Sequence, residues 1–297
     1  MDDKNFKQVA TPAGYVSVAP LPSADELAKF YAELYYQTPQ TTTYHASYPE
    51  HELAHKRLRA DLLLHAIQTV QPRTSAQATL LEVGAGEGFV LKAAADSGYT
   101  IRGIDFSDFG LRKFHPDLAD RLETGDAFQI LDQVIDRGDQ IDVCILQNVL
   151  EHVIDPVALI ARIRKLIGKH GVAGICVPND FSRLQQVATE LGFIDRQYWM
   201  SPPQHLHYFN TDNLRTFLQQ NGLDVVDAFA DFPIEMFLFH PGSNYTRTPS
   251  AGRDAHQARV RLDLMLAEKG LTPYHQLCRA MTNVGFGWNV TMLVRGA

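Results

Sequence analysis

Leu80-Leu81-Glu82-Val83-Gly84-Ala85-Gly86-Glu87-Gly88 is the stretch on which the fold turns. An apolar run enters a turn with a glycine at every second position, and the helical pattern VLKAAADSG follows at 90–98. Glycine there lets the backbone turn tightly and lets a ligand approach main-chain N–H groups with no Cβ in the way. The N-terminus of the following helix adds its positive dipole end. The stretch therefore predicts a strand, a ligand-holding loop and a helix. A dinucleotide fingerprint would read GxGxxG, but here the glycines are 84, 86 and 88 with Phe89 next, so that fingerprint is not met.

Downstream, strands and helices alternate. YTIRGIDFS reads as a second strand ending at Asp105, LETGD as a short strand with its turn, and QIDVCILQ as a third strong strand. PVALIARIRKLI reads as a helix with Asp155 as N-cap and Pro156 at its first position. GVAGICVPN is a buried strand, FSRLQQVATEL a helix, TDNLRTFLQQNG a helix capped by Thr211, and LDVVDAFAD and GWNVTMLVR are strands. This rhythm predicts an α/β fold, a doubly wound, mostly parallel sheet covered on both faces. Asp105 lies 21 residues after Gly84, where an acid at a strand tip can accept two hydrogen bonds from a ribose diol. Gly125-Asp126-Ala127, at the next strand tip, places a carboxylate within reach of an adenine amine.

Upstream, residues 1–22 read as an extended arm. Ser23 and Glu26 form a capping box for a helix through Tyr36, a loop follows at Pro39 and Thr41 to Tyr44, and Pro49 opens a long helix. The expected organisation is an arm and helical cap over 1–75 and a main domain over 76–297, with a substrate-side insertion at about 241–284.

The 297 residues are 45% hydrophobic and carry a net charge of −7. Neither a basic excess nor a basic stripe is present, so no nucleic-acid partner is expected. No apolar run reaches the roughly 20 residues of a spanning helix, and the N-terminus lacks the basic-then-apolar pattern of a secretory signal. Cys144, Cys176 and Cys278 are odd in number and far apart, which predicts buried thiols and a reducing cytoplasm.

The loop, Asp105 and Gly125-Asp126, in that order at successive strand tips, resemble the class I S-adenosylmethionine-dependent methyltransferases. IDVCILQNVLEHVIDP is similar to their fourth-strand motif, and the likeness covers about 80–230 plus the last strand. Within that family, PLPSADELAKFYAELYY and PPQHLHYFNTDNLRTFLQQNG resemble a subfamily with sugar, polyketide and ubiquinone-pathway enzymes. The resemblance implies a Rossmann-like seven-stranded sheet and S-adenosylmethionine as cofactor. It implies binding by Glu82, Gly84, Ala85, Gly86, Gly88, Phe89, Asp105, Phe106, Asp126, Ala127, Gln147 and Asn148. The implied partner is a small polar acceptor, a sugar or nucleotide-sugar related compound, with its hydroxyl methylated.

A sulfonium methyl is already activated, so what remains is in-line placement, water exclusion and removal of a proton. Histidine suits a base near neutrality. His205 is the first candidate base and His152 the second, with His207 read as structural. Tyr198, Trp199 and Tyr208 suit an aromatic wall, with Glu235 and Asn244 bordering the acceptor. Tyr36 and Tyr44 would close over the cofactor by analogy. Related ubiquinone-pathway enzymes hold a divalent metal through two carboxylates and a histidine; Asn148 stands at the first carboxylate position here, so no metal is expected. His51-Glu52-Leu53-Ala54-His55 matches HExxH without a third zinc ligand at the spacings such sites use, and reads as a chance match on a solvated helix face. A C- or N-methyltransferase, a non-catalytic cofactor-binding module and an NAD-linked dehydrogenase are the alternatives.

Overall fold

The computed structural model describes residues 6–30, 47–71 and 78–297. The continuation of the first helix to Tyr36, the loop at Pro39 and Thr41 to Tyr44, and the linker from Pro72 to Gln77 lie outside the described residues.

The chain opens with β1 (Lys7–Ala10), β2 (Val16–Ala19), α1 (Ala24–Phe30) and α2 (Glu50–Val70). The alternating part follows as β3 (Thr79–Val83), α3 (Phe89–Asp96), β4 (Thr100–Asp105), α4 (Phe109–Phe114), β5 (Leu122–Thr124) and α5 (Ala127–Asp136). It continues through β6 (Val143–Gln147), α6 (Pro156–Ile167), β7 (Val172–Pro178) and α7 (Arg183–Glu190). The remainder is β8 (His207–Tyr208), α8 (Thr211–Gln220), β9 (Leu223–Ala230), α9 (Ala251–Ala267), α10 (Leu271–Asn283) and β10 (Asn289–Gly296).

Seven strands make the central sheet in the order β5-β4-β3-β6-β7-β10-β9. Neighbours from β5 to β7 are parallel, and β10 runs antiparallel to both β7 and β9. This is the Rossmann-like, mostly parallel sheet expected from the alternation. The chain winds outward from β3 in one direction and then from β6 in the other, so a crevice opens between their carboxyl ends. Consecutive strand residues point to opposite faces, and both faces are buried. Leu81, Cys144 and Leu146 pack with α5, α6 and α8, while Leu80 and Ile145 pack with α2, α3 and α10.

Four local expectations are corrected. The arm is not merely extended: β1 and β2 form a hairpin, and β2 pairs with β8, with Val16 opposite Tyr208 and Ser17 opposite His207. Tyr15 is buried with its ring 4.5 Å from that of Phe209. Helix α2 is a layer of the main domain packed on α3, α9, α10 and the sheet, rather than part of a separate cap. Helix α5 was not anticipated. The cap of α8 is Asn210 rather than Thr211: its side chain accepts from Asp212 N–H and Asn213 N–H, and Asn213 returns a bond to its backbone.

The HExxH match also has a different explanation. Its face is buried against α9, not solvated. His55 meets Asp263 at 2.9 Å, Tyr274 donates to Asp263 at 2.7 Å, and Arg259, 1% exposed, lies 3.8 Å from both Asp263 and Asp231 and stacks over Trp288. Glu52 bonds His256 at 2.9 Å, and His51 bonds Gln257. These groups fasten α2 to α9. Removing one partner of a buried charge network strands the others, so Asp263→Ala is expected to cost about 3–5 kcal/mol, read from the shift of a urea unfolding curve.

Candidate functional site

Val83 ends β3, and the turn after it runs through Gly84, Gly86 and Gly88 with φ of +76°, +54° and +79°. Only glycine adopts those angles freely. At Gly84 there is a second constraint, since a Cβ would collide with Val149 Cγ2. Gly84 and Ala85 N–H both bond the Ile104 carbonyl, at 2.8 and 3.1 Å, which lashes the turn to β4. Asp105 then takes Gly86 N–H at 2.8 Å and Ser107 N–H at 3.0 Å. Burial raises its pKa, and the N–H groups of Gly86, Ser107 and Phe106 oppose the shift. Glu82 lies beneath the loop, 3% exposed, its pKa pushed well up by burial and then by Asp105. Phe89 begins α3, with its ring 5.0 Å from that of His115. Phe106 is 58% exposed beside Asp105.

Helix α2 reaches the same loop. Glu87 accepts from Lys56 Nζ at 2.7 Å and from Tyr48 Oη at 2.6 Å, and the Lys56 ammonium lies 4.4 Å from the Tyr48 ring centre. Asp126 caps α5 by accepting Gln129 N–H at 2.9 Å, so one of its oxygens serves the helix; Ala127 is the first helical residue. Gln147 ends β6, and the exposed Asn148 follows with φ +52°.

The next carboxyl ends carry a second group. His152 Nδ1 lies 2.7 Å from the Gln204 carbonyl. A carbonyl only accepts, so Nδ1 carries the proton and Nε2 keeps its lone pair. That Nε2 is 3.8 Å from Glu151 Oε1, and the rings of His152 and His205 stand edge to face with centres 4.8 Å apart. Burial holds His152 down at about 4 and His205 at about 3. Glu151 is 1% exposed, both its oxygens lack a hydrogen-bond partner among the described residues, and burial pushes its pKa well up. One ligand atom from each of Glu151, His152 and His205 lies within 4.8 Å of the others, a donor set that fits a divalent cation. The third donor, His205, directly follows Gln204, whose carbonyl meets His152 Nδ1.

Ring contacts run on from this pair. His205 neighbours Tyr208, Tyr208 neighbours Phe181, Phe181 neighbours Trp199, and Trp199 neighbours Tyr198. Tyr198 Oη lies 3.5 Å from Glu235 Oε1 and 3.0 Å from Tyr245 Oη.

Comparison with known proteins decides the family: the methyltransferase domain matches residues 9–228, most of the chain. The chain belongs to the methyltransferase domain family. The chain is 27% identical over 157 residues to a ubiquinone biosynthesis O-methyltransferase of Caulobacter sp. (strain K31), covering 50% of this chain and 61% of that protein. It is 24% identical over 155 residues to the protein of the same name from Bartonella quintana (strain Toulouse), covering 50% of this chain and 61% of that one. Among solved structures, a SAM dependent methyltransferase from Archaeoglobus fulgidus aligns at a TM-score of 0.48 and 16% identity, covering 83% of this chain and 100% of that one. The expected membership of the class I S-adenosylmethionine-dependent methyltransferases is borne out.

The fold brings His152, His205, Tyr198, Trp199 and Glu235 into one connected wall. Two expected acceptor residues have other work. Tyr208 is fully buried, and its hydroxyl donates to the His205 carbonyl at 2.8 Å and accepts Ser201 N–H at 3.1 Å, so it positions His205. Asn244 is fully buried, donates to the Phe193 and Leu238 carbonyls, and accepts from Thr246 and Arg247, which leaves no free polar atom for a ligand. His207 donates to the Val153 carbonyl at 3.0 Å, in its expected structural role. Asp180 was missed. It stands just past β7 in VPND, an acid at a strand tip like Asp105, and that parallel was the available signal. Gly84→Ala is expected to destabilise the protein by about 1–3 kcal/mol through strain and collision together. Adding Val149→Ala should recover the collision part only, as measured by thermal and urea unfolding of both variants.

Proposed function

We propose that this methyltransferase moves a methyl group from S-adenosylmethionine to a hydroxyl of a small polar acceptor. The donor would lie across the glycine turn, its ribose on Asp105, its adenine between Phe106 and the Asp126-Ala127 tip, and its methionine portion beside Gln147. The acceptor oxygen loses its proton to a histidine and attacks the methyl in line, and the sulfonium leaves as a neutral sulfide. The observation that carries the base assignment is the Gln204 carbonyl on His152 Nδ1, which leaves Nε2 as a lone pair beside Glu151 and His205. His152 is the better-oriented base, and His205, first choice on sequence alone, flanks it. A sugar hydroxyl is the acceptor suggested by the family resemblance. The curated relatives, named for ubiquinone biosynthesis, favour a phenolic hydroxyl as the second reading.

A divalent cation is the alternative use of Glu151, His152 and His205, where it would lower the acceptor hydroxyl's pKa. Turnover is expected to survive exhaustive chelation; a loss restored by added magnesium would favour the cation.

His152→Ala is expected to lower turnover about 10²–10⁴-fold with donor affinity retained. Asp105→Ala should abolish donor binding in calorimetry and leave the fold intact by circular dichroism. The two histidines sit below the ordinary value of 6.5, so their neutral, proton-accepting forms persist as pH falls. The acid limb of turnover assigned to His152 is therefore expected near about 4 rather than 6.5. The unfolded chain binds protons on these rings that the folded chain refuses, so their contribution to stability is present above 6.5 and declines as pH drops toward 4. A pH–rate profile alongside pH-dependent unfolding checks both.

A further inference from the structure

Three buried carboxylates lie by the histidine pair and the aromatic wall, and each keeps at least one oxygen without a hydrogen-bond partner among the described residues. Asp180 is 5% exposed with Oδ2 unpartnered, Glu235 is 2% exposed with Oε2 unpartnered, and Glu151 has no hydrogen-bond partner on either oxygen. Glu235 spends its other oxygen on Gln185 Nε2 at 3.4 Å and on Tyr198 Oη. The buried indole N–H of Trp199 is unpartnered as well. The Asp180 carboxyl is raised by burial and by Glu235, and Glu151 feels Asp180 in turn. Arg259 acts on Glu235, but its guanidinium is already 3.8 Å from Asp231 and Asp263. Phe181, next to Asp180, has φ +52°, so the turn presenting this acid is held at a backbone cost.

We propose that Asp180 and Glu235, walled by Trp199 and Tyr198, form a cation subsite, so that the hydroxyl compound methylated here also carries a protonated amine. This rests on the O-methylation reading above. An ammonium brings both the donors and the compensating charge that two buried carboxylates require, whereas a neutral polyol brings donors alone. Aromatic faces beside the acids attract the same cation.

The test compares matched acceptors with and without an amine: dopamine against 4-methylcatechol, and glucosamine against glucose. Labelled-methyl transfer gives kcat/KM, and calorimetry with S-adenosylhomocysteine present gives affinity. The amine member is expected to be preferred about tenfold or more, and Asp180→Asn and Glu235→Gln should each drive that ratio toward one. Equal kcat/KM within each pair, or a preference that survives in both variants, overturns the subsite while leaving O-methylation standing. Amine-selective, Asp180-dependent binding without methyl on oxygen keeps the subsite and overturns O-methylation. Failure of both amines to bind overturns the subsite.

Discussion

The bond from Gly86 N–H to the Asp105 carboxylate, with the two bonds from the turn to the Ile104 carbonyl, is the constraint on which the site depends. It couples the first parallel strand to its neighbour just where the backbone leaves the sheet. Three positive-φ glycines make the approach possible, and a side chain at Gly84 would strike Val149 on the loop after β6. The same contact therefore ties together three strand tips. Lys56 and Tyr48 hold Glu87 from outside, so α2 braces the turn as well as covering the sheet.

Around that turn the molecule concentrates buried charge. One set, between α2 and α9, is internally paired: His55, Asp263, Tyr274, Arg259 and Asp231 satisfy much of one another's demand. The other set, on the segments that follow β6, β7 and β9, is not. Among the described residues, Glu151, Asp180 and Glu235 keep unpartnered oxygens near a wall of rings. A paired network fastens helices, whereas unpartnered acids in a low-dielectric setting await donors.

The HLHY segment gains its geometry from distant parts of the chain. The hairpin near the N-terminus pairs with His207 and Tyr208, the Tyr208 hydroxyl holds the His205 carbonyl, and the Gln204 carbonyl sets the His152 tautomer. Apart from the Tyr208–His205 bond, which joins residues three apart, none of these contacts has a local signature. A two-residue strand such as β8 shows no periodicity, and its partner lies at the other end of the sequence.

Local chemistry in the sequence determined the alternating core, the glycine turn, Asp105 at its strand tip and the caps at Ser23 and Asp155, because each depends on residues a few positions apart. The tertiary structure alone decided that the arm joins β8, that HELAH faces α9 rather than water, that Asn244 and Tyr208 are spent on their own loops, and that Asp180 and Glu235 are both buried. Pairing, burial and orphaned hydrogen-bonding capacity are properties of neighbours in space, and a sequence pattern records only neighbours along the chain.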